Sequence, residues 1–465
     1  MSEGNLSRFS LFAPADFRYY VKELEPFLSE ESYVKYKCEV EVALAKVLAK
    51  RGIISEDSAK EIALASKRVT AEEVYNEEQR TQHDIIALIN MIRTKISDEA
   101  KSAVHRTATS YDIVDTANSK RYRDAFLKII IPDLVSLEKV LIDIARREKE
   151  TVQIGRTHLQ HAEPITFGFA ISWYVSRFGK SLMKIYRSIN EMEGKFSGAV
   201  GAYNASFLFV DDPEDFEKEV LSELGLKPAE ISTQIIQPEN LTDLMHYVVS
   251  TSTIMSNLAD DLRNLQRPEI GEVGQPRGED ISRSSTMPHK ANPVGLENVE
   301  SLWKVVMPFM ITMYLDQISN HQRDLTNSAS QRNIPQVLDL FDYSVRRMTR
   351  ILRNLRPHTH NMLRNFEMNK DKIVAEPLQL LLSSYGHPNA HEYVSKLVDK
   401  SYETGRSLTE IVQSDPALSL YLKKFTSRQS AILVNPNTYL GIASRKTEEI
   451  TNVWEQKLKE ARLIP

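Results

Sequence analysis

Apolar residues recur along this chain at steps of three and four. Leu241, Leu244, Met245, Val248, Met255, Leu258, Leu262 and Leu265 fall on one face of a helix of about seven turns. Ile171, Tyr174, Val175, Phe178, Leu182, Ile185, Ile189 and Met192 repeat the pattern, and a third run extends from about Thr116 to Arg147. Each stripe must be buried. Helices of roughly 25 to 35 residues greatly exceed the usual globular length, so the pattern predicts a long central bundle rather than a stack of short helices. Strand signals are sparse, and no repeat or low-complexity tract interrupts the chain.

The breaks in the pattern set the organisation. Gly and Pro residues between Arg267 and Gly278 end one long helix and predict a flexible approach, resembling a mobile lid, to the polar loop that follows. Pro357 and the polar residues after it close another helix. From about Glu367 shorter helices are expected, punctuated by Gly386-His387-Pro388 and Asn435-Pro436-Asn437. The expected subunit is all-α in three regions, 1–110, 111–365 with the central bundle, and 366–465.

Composition narrows the partners. The 465 residues are 42% hydrophobic and 26% charged, ordinary values for a globular chain with a large core. With 59 Lys and Arg against 63 Asp and Glu, the net charge of −4 gives no general affinity for nucleic acid, so any anionic ligand must be caught locally. Cys38 is the single cysteine, which excludes an intrachain disulfide and a thiolate metal cluster and suits a reducing compartment. Met1 to Ser10 carries no apolar signal region and no run of 18 apolar residues occurs, so a cytoplasmic protein without a membrane partner is expected. Neither a metal nor a cofactor is expected.

Candidate chemistry lies where polar residues interrupt the helices. Ser284 to Pro293 packs hydroxyls, the Lys290 ammonium and the Asn292 carboxamide into one short stretch, a donor set able to hold a carboxylated substrate. Pro288 and Pro293 restrict its backbone. Gly155-Arg156-Thr157-His158-Leu159-Gln160 precedes Pro164 and a helix expected from near Ile165, which places His158 on a turn where an imidazole reaches a cavity. Thr109 and Ser110 open a helix whose first turn would hold Asp112, and such a terminus with free hydroxyls can take a carboxylate. His83-Asp84 follows a polar run. Arg323 and Arg332 are nine residues apart, about two and a half helical turns, so they share a tight site only if the segment bends or loops.

These stretches carry a resemblance. Ser284 to Asn292 is similar to the G-S-S-x-M-P-x-K-x-N signature of the fumarase/aspartase superfamily, with Arg283 in place of the glycine. The stretch around His158 resembles G-x-T-H-x-Q-x-A-x-P-x-T-x-G, and Thr109 to Thr116 resembles T-S-x-D-x-x-D-T, with Thr107 where a glycine usually stands two positions before Thr109. Arg18-Tyr19, His83-Asp84, Gln234 and the run Arg323, Ser328, Arg332 look like the adenylosuccinate lyase branch, with Gln82, Pro238 and Asn298 where members often have arginine. The motifs follow one another in the family's order along nearly the whole chain.

The resemblance implies a fumarase/aspartase-like all-α subunit, a homotetramer with shared active sites, and elimination of fumarate from adenylosuccinate and from succinylaminoimidazole carboxamide ribotide. By the same resemblance Ser284 is the base, His158 the general acid, and His83 its support. Lys290, Asn292, Thr109 and Ser110 hold the succinyl carboxylates; Arg323, Ser328 and Arg332 hold the nucleotide; Arg18 adds local positive charge, with Tyr19, Asp84 and Gln234 beside the substrate. Other members act on argininosuccinate or carboxymuconate, and a non-catalytic protein of the same fold is the alternative from another class.

Overall fold

The computed structural model describes residues 15–276, 281–283 and 286–465. Helix accounts for 67% of it, and the short strands form four two-stranded sheets. The long helices fall where the apolar steps place them. One runs Glu239–Gln266, with Leu244, Met245, Val248, Met255, Leu258 and Leu262 buried. Another runs Phe167–Asn190 and buries every apolar position of its stripe from Ile171 to Ile189. The third run begins earlier than its apolar pattern, at Ser110, and comprises Ser110–Ala125, a π-helical segment Phe126–Ile130 and Ile131–Arg147. Pro132 explains that segment: it has no N–H for the Lys128 carbonyl and its ring crowds the preceding turn, so the register widens locally instead of breaking.

The chain packs as two compact units. The first comprises the described residues up to Leu134, Lys180–Met255 and Ser301–Arg346. Its core is built on the helix Glu30–Lys50, whose Val34, Leu44 and Leu48 pack with Ile62, Ile85, Leu88, Ile113, Phe216 and Leu221. Helix ends are set by short polar caps. Thr70 and Glu73 form a reciprocal capping box at the start of Ala71–Thr81, and Gln82 ends that helix in the left-handed region at φ 54°. That reversal lets His83 cap the next helix, Asp84–Arg93.

The second unit comprises Val135–Gly179, the described part of Ser256–Glu300, and Arg347–Pro465. Short helices of its C-terminal part, among them Ala375–Ser384 and Ala390–Thr404, gather Val374, Leu378, Leu382, Val394, Leu408, Ile411 and Leu418 into one core. The expected breaks at Gly386 and Pro436 are present.

Two expectations are corrected here. Residues 152–166 are an antiparallel hairpin of Val152–Thr157 and Gln160–Thr166, and the helix begins only at Phe167. The alternation that marks a strand is hidden by a bulge: the register shifts between Ile154 and Arg156, and a Cβ on Gly155 would lie 2.6 Å from the Glu163 carbonyl. The lid-like stretch is also not loose in its described part. The Glu272 N–H bonds to the Leu265 carbonyl, Val273–Gly274 pairs with Arg356–Pro357, and Asn361 and Asn365 donate to the carbonyls of Gly271 and Ile270. Those bonds satisfy backbone groups that a Gly- and Pro-rich segment cannot satisfy within itself.

Candidate active site

In the first unit, side chains from several helices and loops line one cleft of about 370 Å³. His83 and Asp84 come from the cap of one helix, Ser110 and Tyr111 from the start of another, Gln234 from a loop, and Ser328 and Arg332 from the polar run near residue 330. Six motif residues spread over some 250 positions of sequence thus share one wall. The run does loop, becoming helical only as a 3-10 turn at Ser330–Asn333, yet Arg332 alone of its two arginines lines this cleft and Arg323 lines a smaller pocket.

The start of the Ser110 helix is built from beneath. Asp112 accepts from the Thr109 N–H at 2.8 Å and from the Gly198 N–H at 3.2 Å, and it pairs with the Lys195 ammonium, both groups fully buried. A buried ion pair supported by further hydrogen bonds, here also from the Lys195 ammonium to the Gly198 carbonyl at 3.2 Å, fixes geometry more than it adds stability, and here it fixes the turn that presents Thr109 and Ser110. Ser110 Oγ lies 3.5 Å from His83 Nε2. The other ring nitrogen of His83 lies 3.4 Å from the Ile86 N–H, which it caps, and 3.6 Å from the Asp84 carboxylate.

Asp84 is committed to a partner. Burial works against its charge, but the Lys37 ammonium 3.1 Å away and the Ile85 N–H outweigh it and hold the carboxyl below its ordinary range. Gln234 is pinned through its backbone N–H to the Gln322 carbonyl at 3.4 Å. Arg323 stacks over Tyr111, 3.5 Å from the ring centroid, and donates to its hydroxyl. Arg18 is exposed and Tyr19 packs edge-on against Tyr343; neither lines the cleft.

Two groups in this wall, Arg121 and Tyr111, escape sequence reasoning. Arg121 is buried with its guanidinium 3.9 Å from the Tyr33 centroid, so the cleft holds a cation besides Arg332. Its position, about three turns into an otherwise mixed helix, gives no motif to find it by. Tyr111 has a motif neighbour on each side yet sits at a variable position. Asp115, on the same helix, accepts the Ile236 N–H at 2.9 Å and lines a smaller pocket with Arg323. Desolvation pushes its carboxyl up to about 6.

The second unit holds the remaining motif residues. His158 occupies the exposed tip of the hairpin, where it and Leu159 both take positive φ, 52° and 60°. Ser282–Arg283 pairs with Ala291–Asn292 as a short antiparallel ladder. Lys290 is exposed and its N–H bonds to the Met287 carbonyl at 3.0 Å. Ser284, the expected base, lies outside the described residues. Asn298, at one of the arginine positions, accepts from the Arg347 guanidinium, so a cation reaches that spot from another helix. The second unit thus carries an imidazole, an ammonium and a carboxamide, and the cleft of the first carries hydroxyls and two arginines; each set by itself suits an anionic ligand.

Comparison with known proteins decides the family. Residues 16–307 match the family model described as Lyase, and residues 319–431 match Adenylosuccinate lyase C-terminal. The adenylosuccinate lyase of Pyrococcus abyssi is 36% identical over 449 residues, covering 95% of this chain and 98% of that protein. The chain belongs to the adenylosuccinate lyase family. Its relative from Archaeoglobus fulgidus, also an adenylosuccinate lyase, is 33% identical over 452 residues, 96% of this chain and 99% of that one. The fold of this family member agrees with solved structures of more distant enzymes. A fumarate lyase from Mesorhizobium sp. BNC1 superposes with a TM-score of 0.82 at 24% identity, covering 93% of this chain and 98% of that one. The 3-carboxy-cis,cis-muconate lactonizing enzyme of Pseudomonas putida gives 0.82 at 22% identity, with 94% and 98% covered.

Proposed function

We propose that this adenylosuccinate lyase family member eliminates fumarate from adenylosuccinate, leaving AMP, and from succinylaminoimidazole carboxamide ribotide. The observation that carries the reading is the gathering of His83, Asp84, Ser110, Gln234, Ser328 and Arg332 in one cleft of a chain that matches an adenylosuccinate lyase over 95% of its length. The reaction removes a weakly acidic proton from the carbon beside a carboxylate and breaks a carbon–nitrogen bond. It needs a base, an acid for the departing nitrogen, and cations to hold the charge that develops on the carboxylate. Ser284 is assigned the base and His158 the acid, with His83 in support. Lys290, Asn292, Thr109 and Ser110 are assigned the succinyl carboxylates, and Arg323, Ser328 and Arg332 the nucleotide, with Arg18 as a further substrate-binding cation and Tyr19, Asp84 and Gln234 alongside.

The reading places residues 111–365 at the centre of a homotetramer, flanked by residues 1–110 and 366–465, in the cytoplasm. Ultraviolet-monitored turnover of adenylosuccinate beside argininosuccinate tests activity and substrate together. His158→Ala and Ser284→Ala should each lower kcat by about 10²-fold or more with helical circular dichroism unchanged. Near-normal turnover in either purified variant removes that residue from the mechanism.

A further inference from the structure

We infer that Glu272 is a positioning residue for His158: its buried carboxylate fixes the strand that delivers the histidine to the tip of its hairpin. The inference rests on the general-acid role proposed for His158. Glu272 is fully buried, and its two oxygens receive four donors. Arg156 contributes Nη1 at 3.2 Å and Nη2 at 2.5 Å, Gln153 its Nε2 at 2.7 Å, and Asn365 its Nδ2 at 2.9 Å. A carboxylate offers about four lone-pair sites, so this one is saturated, and the Arg156 fork approaches both oxygens.

The geometry gives the clamp its direction. Gln153 and Arg156 lie on Val152–Thr157, and Arg156 is two residues from His158. The same guanidinium also reaches the Ile154 carbonyl at 3.3 Å, across the Gly155 bulge that a plain ladder would leave weak. Glu272 is itself immobilised, its N–H bonded to Leu265 at 2.9 Å and its carbonyl to the His358 N–H at 2.8 Å. The tip needs an external hold. His158 and Leu159 both take left-handed φ in a two-residue turn, a conformation that glycine and asparagine adopt far more readily than leucine or histidine. His158 makes no side-chain hydrogen bond among the described residues, so among them the two strands of the hairpin carry the ring.

Glu272→Gln in the full-length enzyme tests this, with Arg156→Lys as a milder variant that keeps the charge but loses the fork. Amide hydrogen exchange would be followed in peptides spanning residues 152–166 and, as reference, residues 374–418, alongside steady-state kinetics on adenylosuccinate. For Glu272→Gln, exchange over 152–166 should quicken by about 10-fold or more with the reference unchanged, and kcat should fall about 10- to 100-fold with KM within about 3-fold. A loosened hairpin with normal kcat overturns the positioning role. Lowered kcat with unchanged exchange overturns the clamp. If the half-buried Arg156, left without its carboxylate, loosens the reference peptide as well, Arg156→Lys is judged by the same two criteria. Normal turnover in His158→Ala would strike the general-acid assignment itself, and with it the catalytic meaning of Glu272, while the exchange data still report whether the clamp exists.

Discussion

Thr107 stands where the family pattern has glycine, and its backbone shows why glycine is usual: φ is 72°. A β-branched residue there sets its Cβ against its own carbonyl, at a cost of about 1–2 kcal/mol, and the Thr107 hydroxyl is buried without a partner among the described residues, which adds a desolvation cost of roughly 1–3 kcal/mol. Glycine relieves both but loses about 0.5–1 kcal/mol through the freedom it restores to the unfolded chain. Thr107→Gly should therefore stabilise the protein by about 1–4 kcal/mol, and Thr107→Ala, which keeps the Cβ, by less. Denaturant midpoints in the order Gly above Ala above Thr are expected; Ala above Gly would show that chain entropy outweighs backbone strain at this position. The departure from pattern was visible in sequence, but the dihedral that gives it meaning was not. Arg121 is the opposite case, a buried cation with no sequence signal, because a single arginine in a helix reads as a solvated face.

Elements differ in how openly they are written. The long helices were legible because burying one face of a cylinder forces a period of 3.6 on the apolar positions, and every residue of the Ile171 to Ile189 stripe is buried. The hairpin at 152–166 was not, because its bulge breaks the two-residue alternation and Pro164 sits inside its second strand. The link between Glu30–Lys50 and the start of the Ser110 helix is another element-scale feature hidden from sequence. Glu41, buried, lies 2.6 Å from His105 Nδ1 and accepts the His105 N–H at 3.1 Å, holding the loop just before Thr109. Burial works against protonating His105, but Glu41, with Asp112 behind it and Arg93 opposing, raises its pKa above the ordinary 6.5. A folded pKa above the unfolded one contributes stability that is complete below about pH 6.5 and is lost as pH rises through the folded value. Asp115 also loses stability with rising pH, but between about 4 and 6, its desolvated folded value. Urea midpoints measured from pH 6 to 9 should fall with pH in the native chain and flatten in His105→Asn, since asparagine tolerates the φ of 64° at that position. Parallel slopes for the two proteins would mean that the pair is not the source.

At the scale of the whole molecule, the assignment of residues to sites followed from motif order, whereas their division did not. The cleft residues belong to one compact unit, and His158, Lys290 and Asn292 belong to the other, a partition that no spacing along the chain reveals. The first unit also leaves large apolar side chains at its surface where helices Val294–Val306 and Phe309–Leu315 end: Val305, Ile311, Leu315 and Ile318 are each more than half exposed. Single exposed apolar residues need no explanation, but a run of them on consecutive turns marks an association surface. The proposed tetramer supplies the cover, so light scattering of the native chain should give about four times 53.1 kDa. Placing a carboxylate in that surface, as in Ile311→Asp, forces a charge to be desolvated in every interface that uses the face, at a cost of several kcal/mol per site, and the mass should fall to a dimer or monomer. Where active sites are shared between subunits, adenylosuccinate turnover per chain should fall with it, by about 10-fold or more, because each site loses groups that only a partner supplies. A dissociated Ile311→Asp chain with normal turnover would separate the two claims, leaving the assembly and removing the shared site, and a native chain that scatters as a 53.1 kDa monomer would remove both.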